Sequence, residues 1–195
     1  MKVISLFFKR EFKDIFVSMV VLSVIFAYPE FLFQPSFILI SLLIVGIAFM
    51  GHELSHRFVA RKLGYWAEYR MWNQGLFLAA LLAFVSGGRI IFAAPGAVVF
   101  SSWRVFKNPT REEVGKIGVS GPLFNIGLLY LFLLVHVIYP VSVLRYAAWI
   151  NGWLAIFNLI PFPHLDGSKV FYWDLRVWII TFIAAVAGFV YALSL

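Results

Sequence analysis

Cysteine is absent from this chain of 195 residues, which excludes disulfides and thiolate metal ligands. Charged residues are also scarce, at 13%, about half the share of a typical soluble domain, whereas 63% of the residues are hydrophobic. The composition therefore predicts a polytopic membrane protein in which imidazole and carboxylate groups must hold any metal ion. Since no stretch is polar enough for a separate soluble module, we expect a single membrane-embedded domain over residues 1–195, with its core at about 36–170.

The net charge of +7 does not indicate a nucleic-acid surface, because the cations are scattered among apolar segments. Their spacing is typical of the basic inner flanks of membrane helices. The first apolar run, about 15–33, is preceded by four of them: Lys2, Lys9, Arg10 and Lys13. We therefore expect a multi-pass protein, in a prokaryotic cell membrane, with a cytoplasmic N-terminus. Its expected partners are the lipid bilayer and transmembrane substrates, and not nucleic acid.

Four further apolar runs are long enough to predict membrane spans: about 36–62, 117–139, 143–163 and 177–195. The segment between residues 66 and 100 is different, because its two apolar stretches, 76–85 and 90–100, are each shorter than the ~20 residues of a full span. The next loop, 103–116, is basic through Arg104, Lys107, Arg111 and Lys116, so it should also be cytoplasmic. Segment 66–100 must then cross the membrane an even number of times.

This parity favours a re-entrant or β-hairpin segment near residues 66–105 over a third full helix. Weak alternation from Val98 to Val105 predicts an edge strand there. The expected fold is thus an all-α polytopic membrane protein with about five to six transmembrane helices.

The second apolar run contains the sequence His52-Glu53-Leu54-Ser55-His56. Residues four apart share one face of a helix, so His52 and His56 can bind the same metal ion. Glu53 is then placed to accept a proton from a metal-bound water. Arg57 follows His52 by five positions, roughly 7 Å of helix rise, which predicts that the motif lies within the membrane near its cytoplasmic surface.

A catalytic zinc site generally needs a third protein ligand. Asp166 is the favoured candidate, because it follows a predicted span at the cytoplasmic end, the end where the histidines lie. Pro161 and Pro163 interrupt the helix before it and free the backbone to direct the carboxylate inward. Glu68 is the competing carboxylate, in a loop beside Arg70. The prediction is one Zn²⁺ per chain, bound by two imidazoles and one carboxylate.

Three segments together resemble the site-2 protease family of intramembrane zinc metalloproteases. They are the helix of His52–His56, the motif Gly115–Asn125, in which Ser120 stands where the family usually has alanine, and the motif Asn158–Gly167. The resemblance covers about residues 46–169. Regulatory modules of the PDZ or paired nucleotide-sensing type have no counterpart in this chain.

This resemblance implies that His52, His56 and Asp166 bind zinc and that Glu53 is the catalytic base. The implied activity is hydrolysis of peptide bonds in or near the transmembrane segments of other proteins, as in regulated intramembrane proteolysis, with an active site that opens to the cytoplasm. Asn125 and Asn158 are candidates for binding the substrate backbone or the oxyanion, with hydrogen bonding between helices as the alternative.

Two other functions remain open. One is a membrane zincin that processes other membrane or lipidated proteins, although such enzymes use a glutamate as the third ligand. The other is a catalytically inactive metal-binding membrane protein, which would have no need of a base at Glu53.

Overall fold

The structure is a computed structural model and describes residues 2–102 and 108–195. Seven α-helices and two strands follow one another in these ranges, and a short 3₁₀ helix, Glu30–Leu32, lies between the first two helices. The elements are α1 (Lys2–Ala27), α2 (Phe37–Lys62), β1 (Tyr65–Met71), α3 (Asn73–Val85), β2 (Gly96–Ser102), α4 (Arg111–Ile138), α5 (Ser142–Leu159), α6 (Asp166–Trp173) and α7 (Leu175–Ser194). The predicted all-α class is confirmed, with one small sheet added.

Within the described residues, three helices are long and apolar enough to cross a membrane: α2, α4 and α7. Helices α1 and α5, at two further predicted spans, do not reach that combination. The first half of α1 is rich in charge, and α5 has only 18 residues, among them Arg145, Asn151 and Asn158. The count of five to six spans stays a prediction.

Helix α4 lies at the centre of the fold, in contact with α2, α5, α6 and α7. It begins with a capping box, in which the hydroxyl of Thr110 accepts from the backbone N–H of Glu113. On the side facing α6, glycines allow close packing. A Cβ at Gly115 would collide with the ring of Trp173, and one at Gly118 would lie 2.9 Å from the Cβ of Lys169. Small residues on α4 therefore set the distance to α6.

The chain reverses its direction within segment 66–102, which packs against α1 and α2. Strands β1 and β2 pair antiparallel, from Tyr65 opposite Ser102 to Met71 opposite Gly96, and α3 lies between them in the chain. The antiparallel pair agrees with the predicted re-entrant or β-hairpin segment near residues 66–105, and the even number of membrane crossings stays a prediction. The strand begins at Gly96, two residues before the predicted start at Val98, and residues 103–105 of that prediction, like Arg104 and Lys107, lie outside the described ranges.

The edge of β1 away from β2 is occupied by two carboxylates of α1. Glu11 Oε1 accepts from the backbone N–H of Tyr69 at 3.0 Å, and Asp14 Oδ2 accepts from that of Met71 at 3.4 Å. Alternate residues of a strand present their N–H groups to the same edge, so the two carboxylates take the place of a neighbouring strand. Glu11 Oε1 also accepts from Arg57 Nη1 at 3.0 Å, which ties β1 to α2. The edge of this two-stranded sheet that is left for a further strand is therefore the outer edge of β2.

We expect Glu11→Ala to lower the free energy of unfolding by about 3 kcal/mol, because it leaves the mostly buried guanidinium of Arg57 without this carboxylate. Glu11→Gln should lose less, since its amide oxygen can still accept from the N–H of Tyr69. Denaturant unfolding in detergent micelles measures both. Glu112→Ala is the control, because its pair with Lys116 is exposed and should be worth less than about 1 kcal/mol. Equal loss in Glu11→Ala and Glu112→Ala would contradict this account.

Candidate metal centre

Two helices distant in the chain bring the predicted ligands together. His52, Glu53 and His56 lie on α2 and are all buried. Asp166 is the first residue of α6, and its carboxylate reaches the histidines across a separation of 114 residues. Between α5 and α6 the chain turns at His164, whose φ of 74° is in the left-handed region. Among the described residues, the structure thus brings together the three side chains that the sequence predicts as metal ligands, and together they could hold a metal ion.

The three potential ligand atoms form a small triangle. The Nε2 atoms of His52 and His56 are 3.0 Å apart, and Asp166 Oδ2 lies 3.2 Å from the first and 2.9 Å from the second. In a tetrahedral zinc site with bonds of about 2.0–2.1 Å, ligand atoms are separated by about 3.3 Å. The triangle therefore has nearly the size of one face of a zinc tetrahedron.

The hydrogen bonds behind the two histidines determine which ring nitrogen carries the proton. Nδ1 of His52 is 2.6 Å from Oδ1 of Asn125, and Nδ1 of His56 is 2.7 Å from the carbonyl oxygen of Ile117. Both oxygens can only accept, so each Nδ1 carries a proton, and in the neutral imidazole each Nε2 then presents a lone pair. Two lone pairs and the carboxylate of Asp166 thus converge on one point, an arrangement that a cation stabilises.

Gly121 keeps the space beside these nitrogens open. A Cβ at this position would collide with Nε2 of His56 and lie 2.6 Å from Nε2 of His52. The donor set of two imidazoles and one carboxylate is that of a catalytic zinc site. The size of the triangle, the direction of the Nε2 lone pairs and the space beside Gly121 all suit a zinc ion, so the residues present fit one.

The cluster opens into a cleft that Glu53 also lines. Asn158 lies in the cleft as well, and its Nδ2 donates to the carbonyl oxygen of Leu154. Its contact with substrate stays a prediction. Residues from the start of β2 form part of the lining: Gly96, Ala97 and Val98. The cleft thus combines three metal-ligating atoms, a neighbouring carboxylate and a strand.

Asn125 is placed behind the cluster and is completely buried. Its Oδ1 faces His52, and its Nδ2 donates to the carbonyl oxygen of Ala48 at 3.1 Å and to Oδ1 of Asn151 at 3.0 Å. Because these partners use both ends of the amide, the contacts favour orienting His52 over the predicted contact with substrate. Glu68, the competing third ligand, instead pairs with Arg70 within β1.

Two contributors to the site are not identified by the sequence analysis: the carbonyl oxygen of Ile117, and Gly121, which lies within the motif Gly115–Asn125. A signal for Gly121 does exist. It stands four residues before Asn125 on α4 and so shares the face that meets His52.

Gly121→Ala should abolish zinc binding, because the added methyl group collides with the two ligand nitrogens. Gly127→Ala is the matched control on the same helix, since its Cβ would have no neighbour within 4 Å. Mass-spectrometric metal analysis of the purified proteins measures the outcome. Full zinc occupancy in Gly121→Ala would show that the ion does not lie at this triangle.

Comparison with known proteins agrees with this chemistry. A protein of Methanocaldococcus jannaschii named "Putative zinc metalloprotease MJ0611" is 39% identical to this chain over 193 residues, with 95% of each sequence covered. No family profile matches the chain. No solved structure matches it either. Since the identity extends over nearly the whole length of both sequences, the chain belongs to the same family of zinc metalloproteases.

Proposed function

We propose that this protein is an intramembrane zinc endopeptidase of the site-2 protease type. It hydrolyses peptide bonds in or near the transmembrane segments of other membrane proteins. The observation that carries the proposal is the convergence of His52 and His56 of α2 with Asp166 of α6, beside Glu53. Helix α2 is long and apolar enough to cross a membrane. Ionisable groups in such a helix are costly and mark functional sites.

The depth of the site in the membrane follows from the end of α2. Three cations occupy its last turns, directly after the second histidine: Arg57, Arg61 and Lys62. Such a cluster favours the cytoplasmic surface, so the proposed active site lies just inside that face, in a multi-pass protein of a prokaryotic cell membrane. This position supplies water for hydrolysis while the scissile segment stays in the lipid.

Glu53 acts as the base of the reaction. It accepts a proton from the attacking water and returns it to the departing amine nitrogen. Zinc, when bound, polarises the peptide carbonyl and lowers the pKa of a water molecule towards 7. His52, held by Asn125, and His56, held by the carbonyl of Ile117, keep their Nε2 atoms aimed at the cleft throughout.

The substrate binds as an extended strand. A helix hides its peptide bonds within its own hydrogen bonds, whereas a strand exposes them. Because both edges of β1 have partners, the substrate pairs with the remaining edge of β2, next to the cleft wall at Gly96–Val98. This docking places the scissile bond beside Glu53, with Asn158 available to bind the substrate backbone.

Glu53→Gln should reduce cleavage by about 10²–10⁴-fold, because the amide cannot accept the proton from water. Zinc content should not change, since Glu53 is not one of the three ligands. The assay uses single-span membrane proteins that the wild-type chain cleaves in liposomes, with metal analysis of the same samples. Cleavage at the wild-type rate by Glu53→Gln would show that Glu53 is not the base, whereas a wild-type chain that binds zinc and cleaves none of the test proteins would favour an inactive metal-binding protein.

Asp166→Ala should lose most of its zinc, because only two protein ligands remain. Glu68→Ala removes the other candidate carboxylate and should keep full occupancy. Metal content after dialysis against a weak chelator separates the two. The opposite pattern would identify Glu68 as the third ligand.

A further inference from the structure

The two oxygens of the Asp166 carboxylate have different partners. Oδ2 faces the two histidine nitrogens, at 3.2 and 2.9 Å. Oδ1 accepts from the Nζ of Lys169 at 2.8 Å, one turn further along α6. The first oxygen is thus directed at the metal centre, and the second is bound by an ammonium group outside it.

We propose that Lys169 is a positioning residue that makes Asp166 a ligand through one oxygen only. A carboxylate can bind a metal through one oxygen or through both, and the choice alters the coordination number. The ammonium group competes with a metal ion for Oδ1 and so favours binding through Oδ2 alone, which would leave a position for water. This inference rests on the proposed zinc site at His52, His56 and Asp166.

The Lys169–Asp166 pair is shielded from solvent. The side chains of Lys169 and Asp166 are 24% and 9% exposed, whereas those of Lys116 and Glu112, a surface pair on α4, are 48% and 61% exposed. Shielded pairs are less weakened by salt and water than surface pairs.

Close packing also restricts where the lysine side chain can go. A Cβ at Gly118 of α4 would lie 2.9 Å from the Cβ and 3.3 Å from the Cδ of Lys169. The aliphatic part of the side chain therefore packs directly on the α4 backbone, and the ammonium group is directed to Oδ1.

Lys169 acts through Asp166 and not on the substrate. From α6 and the residue before it, only Asp166 and Leu165 line the cleft, so Lys169 does not line it. Lys169 instead contacts the carboxylate from the side of Gly118. Its expected influence is on metal affinity and coordination.

The test measures Zn²⁺ affinity of the purified full chain by chelator competition. Lys169→Met should bind zinc about 10–100-fold more weakly, the usual cost of losing a group that orients a metal ligand. Lys169→Arg retains the charge and should recover most of the affinity. Lys116→Met, which removes an exposed lysine from an ion pair on α4, should bind zinc as the wild type does.

The visible absorption spectrum of Co²⁺ bound in place of zinc is a second measurement, and it would not change if Lys169 only stabilised the fold. If Oδ1 joins the coordination sphere in Lys169→Met, the visible absorption should lose intensity as the coordination number rises, and Lys169→Arg should restore the wild-type spectrum. Wild-type zinc affinity and an unchanged Co²⁺ spectrum in Lys169→Met would overturn the inference, as would an equal loss of affinity in Lys169→Arg.

Neither measurement depends on proteolysis, so the proposed protease function and the proposed role of Lys169 can be refuted independently. A wild-type chain that binds zinc but cleaves no membrane protein would refute the proposed function alone. A wild-type chain that binds no zinc would refute both.

Discussion

The constraint on which the structure depends is the convergence of two imidazole nitrogens and one carboxylate oxygen in the protein interior, within 3.2 Å of one another. When both imidazoles are neutral, two lone pairs and a carboxylate charge face each other there, and their repulsion is poorly screened. A bound cation removes that repulsion. Helix α4 holds the arrangement without supplying a ligand, because Ile117, Gly121 and Asn125 recur every four residues and form one face towards α2.

Helix α1 holds the sheet in place, as α4 holds the two histidines. Its acidic residues would be costly in an apolar chain if they had no partners, but Glu11 and Asp14 accept from alternate N–H groups of β1. An edge strand is normally open to further pairing. Because α1 closes the edge at β1, pairing is directed to β2, the strand whose first residues line the cleft. The N-terminal helix thus leaves the unpaired edge of the sheet to the strand that lines the cleft.

A feature of the site can be predicted from the sequence where the spacing of residues along one helix, or the small number of suitable side chains, determines it. The separation of His52 and His56 predicts a shared helix face, and the scarcity of carboxylates near that end of the spans singles out Asp166, which the structure places beside them. The all-α class follows from composition. Contacts between distant helices are beyond such reasoning: Asn125 meets His52 across 73 residues, and only the packing of α4 on α2 determines which way its amide points. The start of β2 likewise depends on its partner strand, which its own residues do not encode.

The residue after Asp166 shows how backbone packing determines the position of a ligand. A Cβ at Gly167 would collide with the carbonyl group of Leu159, so the first turn of α6 lies directly against the end of α5. That same carbonyl oxygen accepts from the indole N–H of Trp178 at 2.7 Å, which joins α7 to the contact. Any side chain at position 167 would push α6 away and move Oδ2 of Asp166 from the histidines. The two residues therefore act together: Gly167 allows α6 to pack closely on the end of α5, and this position brings the carboxylate of Asp166 to the histidines.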